Sequence, residues 1–213
     1  MYNTILFDLD GTLTDPGIGI TNSVAYALNK FGISVADKTE LYKFIGPPLK
    51  DSFMKYYGFD QNKALLAVDY YREYFSEKGI FENKIYDGVQ EVLSDIKNSG
   101  RKIALATSKP ELFAKQILDY FNLTEYFDFV GGATMDSSRN TKGDVINYTL
   151  QNLKIKDLST VIMVGDREHD IIGAKQAGID SIGVLFGYGD RKELENAGAV
   201  YIAKTVKEII NYI

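Results

Sequence analysis

Two aspartates one residue apart, directly after a short apolar run, constrain this chain more than any other feature. In "TILFDLDGTLTD" (4–15), Ile5, Leu6 and Phe7 lead into Asp8 and Asp10, and Gly11 and Thr12 follow. Side chains at i and i+2 of a strand face the same way, so both carboxylates enter one small space and repel. The pattern calls for a positive partner.

The rest of the chain supplies a frame for that pair. Four apolar, β-branched runs, at 5–7, 102–108, 160–166 and 180–187, read as buried parallel strands. Helical patterns alternate with them at 89–100, 110–121, 142–153 and 170–178, with Pro110 opening one and Gly100 and Gly178 closing two. That alternation predicts an α/β fold with a doubly wound parallel sheet. Residues 16–81 break it. Ile20, Val24, Leu28 and Phe31 recur at helical spacing, as do Ala64, Ala67, Val68, Tyr71, Tyr74 and Phe75, between two stretches, 14–19 ("TDPGIG") and 81–88, whose Pro, Gly and Asp suit linkers. The expected organisation is a core of 1–15 and 82–213 carrying a helical cap at 16–81.

Composition narrows the function classes. At 213 residues and 45% apolar the chain can bury a real core, and a net charge of −5 argues against a nucleic-acid or membrane surface. The absence of cysteine excludes disulfides, thiolate metal sites and cysteine nucleophiles. No apolar run approaches a membrane span. The expectation is a cytoplasmic protein, monomeric or weakly dimeric, whose partner is a small molecule.

Ligands of open α/β sheets bind at the carboxyl ends of the strands. The polar residues there are Asp8 and Asp10, then Thr107 and Ser108, then Asp166 and Asp170. Four carboxylates without histidine or cysteine suit a hard cation, and Mg²⁺ fits a few carboxylates plus waters and a phosphate. Each element has a simpler reading alone: "DLDGT" as a turn, Thr107 and Ser108 as a helix cap, and Asp170 as an N-cap. Their chain order and placement at strand ends favour a shared site.

In these motifs the chain resembles the haloacid dehalogenase (HAD) superfamily of phosphohydrolases, in its phosphoglycolate phosphatase-like branch with a helical cap. Asp8-Leu9-Asp10-Gly11-Thr12 is the first motif, Thr107 in "IALATSK" the second, Lys142 in "NTKGDVI" the third, and Gly165 to Asp170 the fourth. The resemblance implies a Rossmann-like core and a phosphatase. Asp8 would be the nucleophile, forming an aspartyl phosphate, and Asp10 the general acid and base. Thr107, the Ser108 N–H and Lys142 would hold the phosphoryl oxygens, with Gly11 and Thr12 closing the phosphate loop. Mg²⁺ would be held by Asp8, the Asp10 carbonyl and Asp166, with Asp170 close by.

Within the cap, "FIGPPLKDSF" (44–53) would face the site, and Lys50 would either contact an anionic substrate tail or stand as a solvated surface lysine. Five tyrosines at 56, 57, 70, 71 and 74 suggest a stacking platform, although their helical spacing favours cap core or a dimer surface. His169, the only histidine, is expected to make a loop or lid contact. The expected activity is a Mg²⁺-dependent phosphomonoesterase on a small metabolite, of the phosphoglycolate phosphatase or 5′-nucleotidase kind. Alternatives are a pyrophosphatase, or a sugar phosphomutase of the β-phosphoglucomutase type. "DPGIGITNSV" lacks the histidine that follows the first motif in the mutases.

Overall fold

The computed structural model describes residues 1–136 and 138–213. The chain divides into two compact units, Met1–Asp15 with Ile85–Ile213, and Pro16–Lys84. The second crossing thus falls after Lys84, where the sequence reading places it after 81.

The first unit is built on a six-stranded sheet in the order β5-β4-β1-β6-β7-β8, with β1 Thr4–Phe7, β4 Lys102–Pro110, β5 Phe129–Ala133, β6 Val161–Gly165, β7 Asp180–Val184 and β8 Tyr201–Ala203. Every neighbouring pair is parallel, and β1 lies centrally, with Leu6 opposite both Ala104 and Met163. Parallel strands need crossovers, here α4 Val89–Asn98, α5 Glu111–Tyr120, α6 Lys142–Asn152, α7 Glu168–Ala177 and α8 Arg191–Ala197. Right-handed crossovers put α4 and α5 on one face and α6 and α7 on the other, because the chain first runs outward from β1 to β5 and then returns past it. The strand order reverses at β1, which makes its carboxyl end the crevice of the sheet.

Period-two burial closes both faces. Leu6, Ala104, Ala106 and Met163 pack with Val145, Ile146 and Leu150 of α6 and Ala174 and Ala177 of α7 in one apolar cluster. Ile5, Phe7, Ile103, Leu105, Ile162 and Val164 alternate with these residues and are also fully buried. Two expected elements end differently. The run at 180–187 stops being strand at Val184, because Gly187 and Gly189 belong to a loop folded against Asp166. The "TDPGIG" stretch is not all linker: β2 (Thr14–Asp15) and α1 (Gly17–Asn29) occupy most of it.

The second unit is helical, with α1, a 3₁₀ turn at Lys38–Phe44, α2 (Leu49–Tyr57), α3 (Gln61–Tyr74) and a π turn at Phe75–Gly79. The Asp60 side chain caps α3 by accepting from the Lys63 N–H at 2.8 Å. Its core is aromatic: Phe44 meets Phe53 at 5.0 Å, Phe31 meets Phe59 at 5.0 Å, and Tyr71 stacks on Phe75 at 5.3 Å. Tyr56, Tyr57 and Tyr70 join these clusters, so the tyrosines serve the unit's own packing. Among the described residues no helix is long and apolar enough to cross a membrane.

Leu6 is fully buried between the two flanking strands, so Leu6→Ala leaves a cavity the sheet cannot collapse into. The expected loss is about 2–5 kcal/mol. A urea unfolding curve with an unchanged midpoint would contradict this packing.

Candidate active site

At the carboxyl end of β1 the chain leaves the sheet with Asp8, whose N–H donates to Val164 O of β6 at 2.9 Å. That bond carries the strand register one residue past β1 and fixes Asp8 beside the end of β6. Asp166 follows β6 directly, and Asp170 lies in the first turn of α7. Asp170 Oδ2 accepts from the Arg167 N–H at 3.0 Å, which closes that turn and points the other oxygen inward. Asp8, Asp166 and Asp170 each present a carboxylate oxygen, all within 4.8 Å of one another, and all three residues are buried.

Lys142 opens α6, where Thr141 is the N-cap. A cation is disfavoured at a helix N-terminus, and the acidic cluster overrides that cost. Lys142 Nζ lies 2.7 Å from Asp8 Oδ1 and 2.8 Å from Asp170 Oδ1, and donates to Ala106 O at 2.9 Å. Burial would lower the Lys142 pKa, but Asp170 and Asp8 more than reverse this and hold it above the ordinary lysine value. A second lysine, Lys109, lies 2.5 Å from Asp10 Oδ2.

Gly11 is required twice over. Its φ of +81° is a left-handed conformation, and a Cβ built there would lie 2.2 Å from Asp166 Oδ2. The loop can therefore turn back over Asp166 only without a side chain. Asp166 Oδ2 accepts from the Tyr188 N–H at 2.8 Å, while Asp166 Oδ1 is buried and has no hydrogen-bond partner among the described residues.

Four buried carboxylates thus face two lysine ammoniums, and the acids feel the deficit. Burial, then Asp170 and Asp8, raise the Asp166 carboxyl well above its ordinary range. Burial pushes Asp170 up to about 6, with Asp8 adding to the rise and Lys142 opposing it. Burial also raises Asp10, against the pull of Lys109. A hard divalent cation fits this donor set: the ligands are all oxygen, Asp166 Oδ1 is an orphaned buried acceptor, and the surplus charge is negative.

The structure brings Asp8, Asp10, Asp166, Asp170 and Lys142 into one crevice, with Gly11 folded over Asp166. Thr107 is buried near the end of β4, and its Oγ1 accepts from the Lys109 N–H at 3.2 Å; Ser108 between them is half-buried. Thr12 is buried, and its Oγ1 has no hydrogen-bond partner among the described residues. Lys50, half-buried in the first turn of α2, belongs to the second unit. His169 is half-buried in the first turn of α7, its pKa lowered by burial. Sequence reasoning missed Lys109 and the Tyr188 N–H. Lys109 lies where the pairing of β4 with β5 shifts register, between Thr107 and Pro110, so its direction follows from that pairing and not from spacing along the strand.

A model of the haloacid dehalogenase-like hydrolase family matches residues 5–184. The crystal structure of a predicted phosphatase from Clostridium acetobutylicum aligns with a TM-score of 0.97 at 53% identity, covering 100% of this chain and 98% of that one. A 5′-nucleotidase from Pseudomonas aeruginosa is 43% identical over 193 residues, 91% of this chain and 87% of its own length. Tyrosine-protein kinase PtkA of Mycobacterium tuberculosis is 35% identical over 207 residues, 96% of this chain and 70% of its own length.

The raised carboxyls set a stability test. The native state holds the Asp166 and Asp170 protons more tightly than the unfolded chain, whose aspartates titrate near about 4. Native stability from these groups is therefore present at low pH and falls as pH rises through their folded values, about 6 for Asp170. With a chelator at neutral pH, Asp166→Asn should be more stable than wild type by about 1–3 kcal/mol. The gap should close as pH falls toward about 4. A wild type as stable as the variant across that range would contradict the charge deficit.

Proposed function

The chain belongs to the haloacid dehalogenase-like hydrolase family, and from that premise we propose that it is a Mg²⁺-dependent phosphomonoesterase of small metabolites that carries the phosphoryl group on Asp8. The observation behind this is the pairing of Asp8 with Lys142 beside two further carboxylates. Lys142 keeps Asp8 in a fixed orientation and places a permanent positive charge where phosphoryl oxygens would sit. An Asp8 oxygen attacks phosphorus, and the bond from phosphorus to the ester oxygen breaks. Asp10 gives its proton to that leaving oxygen. In the second displacement water attacks the same phosphorus and passes a proton to Asp10, the bond to Asp8 breaks, and inorganic phosphate leaves.

The charge of a transferring phosphoryl group spreads over three oxygens, so fixed donors are the main device. Lys142, Thr107 and the Ser108 N–H supply them at the ends of β4 and α6. Asp166 with its open Oδ1, together with Asp8 and the Asp10 carbonyl, would hold Mg²⁺. Both oxygens of Asp170 are already engaged, by Lys142 and by the Arg167 N–H, which suits a weaker or water-mediated contact. When bound, the cation offsets repulsion between the Asp8 carboxylate and a dianionic phosphate.

For the substrate, the relative named 5′-nucleotidase supports nucleoside 5′-monophosphates as the first class to test. The relative named as a kinase makes the acceptor worth testing as well, and inorganic phosphate release separates transfer to water from transfer to a tyrosine hydroxyl. Wild type with Mg²⁺ should release phosphate from nucleoside monophosphates, and Asp8→Asn, nearly isosteric, should stay folded and lose turnover. Asp166→Ala should raise the Mg²⁺ concentration for half-maximal rate far more than Asp170→Ala does. Substantial turnover by folded Asp8→Asn would overturn the nucleophile, and an unaltered Mg²⁺ dependence in Asp166→Ala would overturn the ligand set.

A further inference from the structure

Lys109 has no part in the chemistry assigned so far, yet it forms one of the most enclosed ion pairs of the first unit. Its Nζ lies 2.5 Å from Asp10 Oδ2, and the two side chains are only 6% and 11% exposed. The backbone departs from regular pairing to put it there. Along β4 and β5, Thr107 pairs with Gly132 and Pro110 with Ala133, so Ser108 and Lys109 bulge from the ladder. Such bulges re-aim a side chain. Two local features hold this one. The Lys109 N–H donates to Thr107 Oγ1 at 3.2 Å. Gly132 admits the bulge: a Cβ there would lie 2.6 Å from Glu111 Cα and 2.9 Å from Lys109 O. Arg139 adds a brace, donating to Gly132 O at 2.8 Å and pairing with Glu111 at 3.2 Å.

The consequence falls on Asp10. Its Oδ2 is taken by Lys109, while its Oδ1 is buried with no hydrogen-bond partner among the described residues. One oxygen is anchored and the other is presented. We propose that Lys109 is a positioning residue for the reaction: it clamps Oδ2 of Asp10 so that Oδ1 alone carries the proton to and from the reacting oxygens. This rests on the reading of Asp10 as general acid and base. Lys109 acts through Asp10 and does not touch the phosphoryl group, which distinguishes it from Lys142 on Asp8.

The leaving group tests this. For kcat/KM, which reports the transfer to Asp8, a simple alkyl phosphate needs its leaving oxygen protonated, whereas 2,4-dinitrophenyl phosphate does not. Lys109→Met should lower kcat/KM for the alkyl ester by about 10²-fold or more, the scale of general acid catalysis. The dinitrophenyl ester should lose less than about one tenth as much. A merely structural role would lower both equally. Asp10→Asn is the reference: if it fails to discriminate between the esters, the general-acid reading is wrong; if it discriminates and Lys109→Met does not, the clamp is wrong. Lys109→Met leaves a buried carboxylate unpaired and can compromise folding, so the double variant Asp10→Asn/Lys109→Met supplies an independent arm. Its kcat/KM should equal that of Asp10→Asn for both esters, because residues acting as a unit are not additive. A further loss in the double variant on the dinitrophenyl ester would place Lys109 on the phosphoryl group and overturn the proposal.

Discussion

The imbalance of buried charge at the end of β1 is the constraint on which the rest of this structure depends. Asp8, Asp10, Asp166 and Asp170 are withdrawn from water within one crevice, and Lys109 and Lys142 are the lysines paired with them. Hydrophobic packing could not assemble such a cluster, since isolated charges in a low-dielectric interior cost several kcal/mol each. It persists because each lysine reaches its partners at 2.5–2.8 Å, and because Asp166 and Asp170 each also accept a backbone N–H. The remaining negative charge is what a divalent cation would neutralise.

The fold delivers that cluster by simple means. A parallel sheet sends every strand end to the same edge, and the reversal of strand order at β1 opens a crevice there. β1 leads into Asp8, and the loop that follows contributes Asp10. β6 leads into Asp166, and α7 carries Asp170 in its first turn. α6, on the same face of the sheet as α7, begins with Lys142. The lysines divide the work by their partners, with Lys142 on Asp8 and Asp170 and Lys109 on Asp10.

Much of this was legible in the residues themselves. The apolar run ending in Asp8 and Asp10 marked a buried parallel strand with a site at its carboxyl end, because period-two geometry and the buried character of parallel strands are local properties. Asp166 and Asp170 were found by their positions after a strand, and Lys142 by the resemblance of "NTKGDVI" to the family's third motif. What escaped was set by pairing across the chain. The bulge that aims Lys109 exists only because β4 meets Gly132 of β5, and β5 itself, "FVGGA", is weakened as a strand signal by its two glycines. β8 has three residues, too few for a period to show. α8 carried a readable Asp190 cap and Gly198 stop, but only seven residues lie between them. The Tyr188 N–H that holds Asp166 is a backbone group, and side-chain chemistry gives no sign of it.

The central claim is that Asp8, fixed by Lys142 and relieved of repulsion by a cation, accepts the phosphoryl group. Rapid acid quench of the wild-type enzyme during turnover, followed by mass spectrometry of the peptide containing residues 4–15, reads this directly. The account predicts a transient mass increase of one phosphoryl group located on Asp8, formed at least as fast as phosphate appears. Steady phosphate release with Asp8 never modified at any quench time would contradict it.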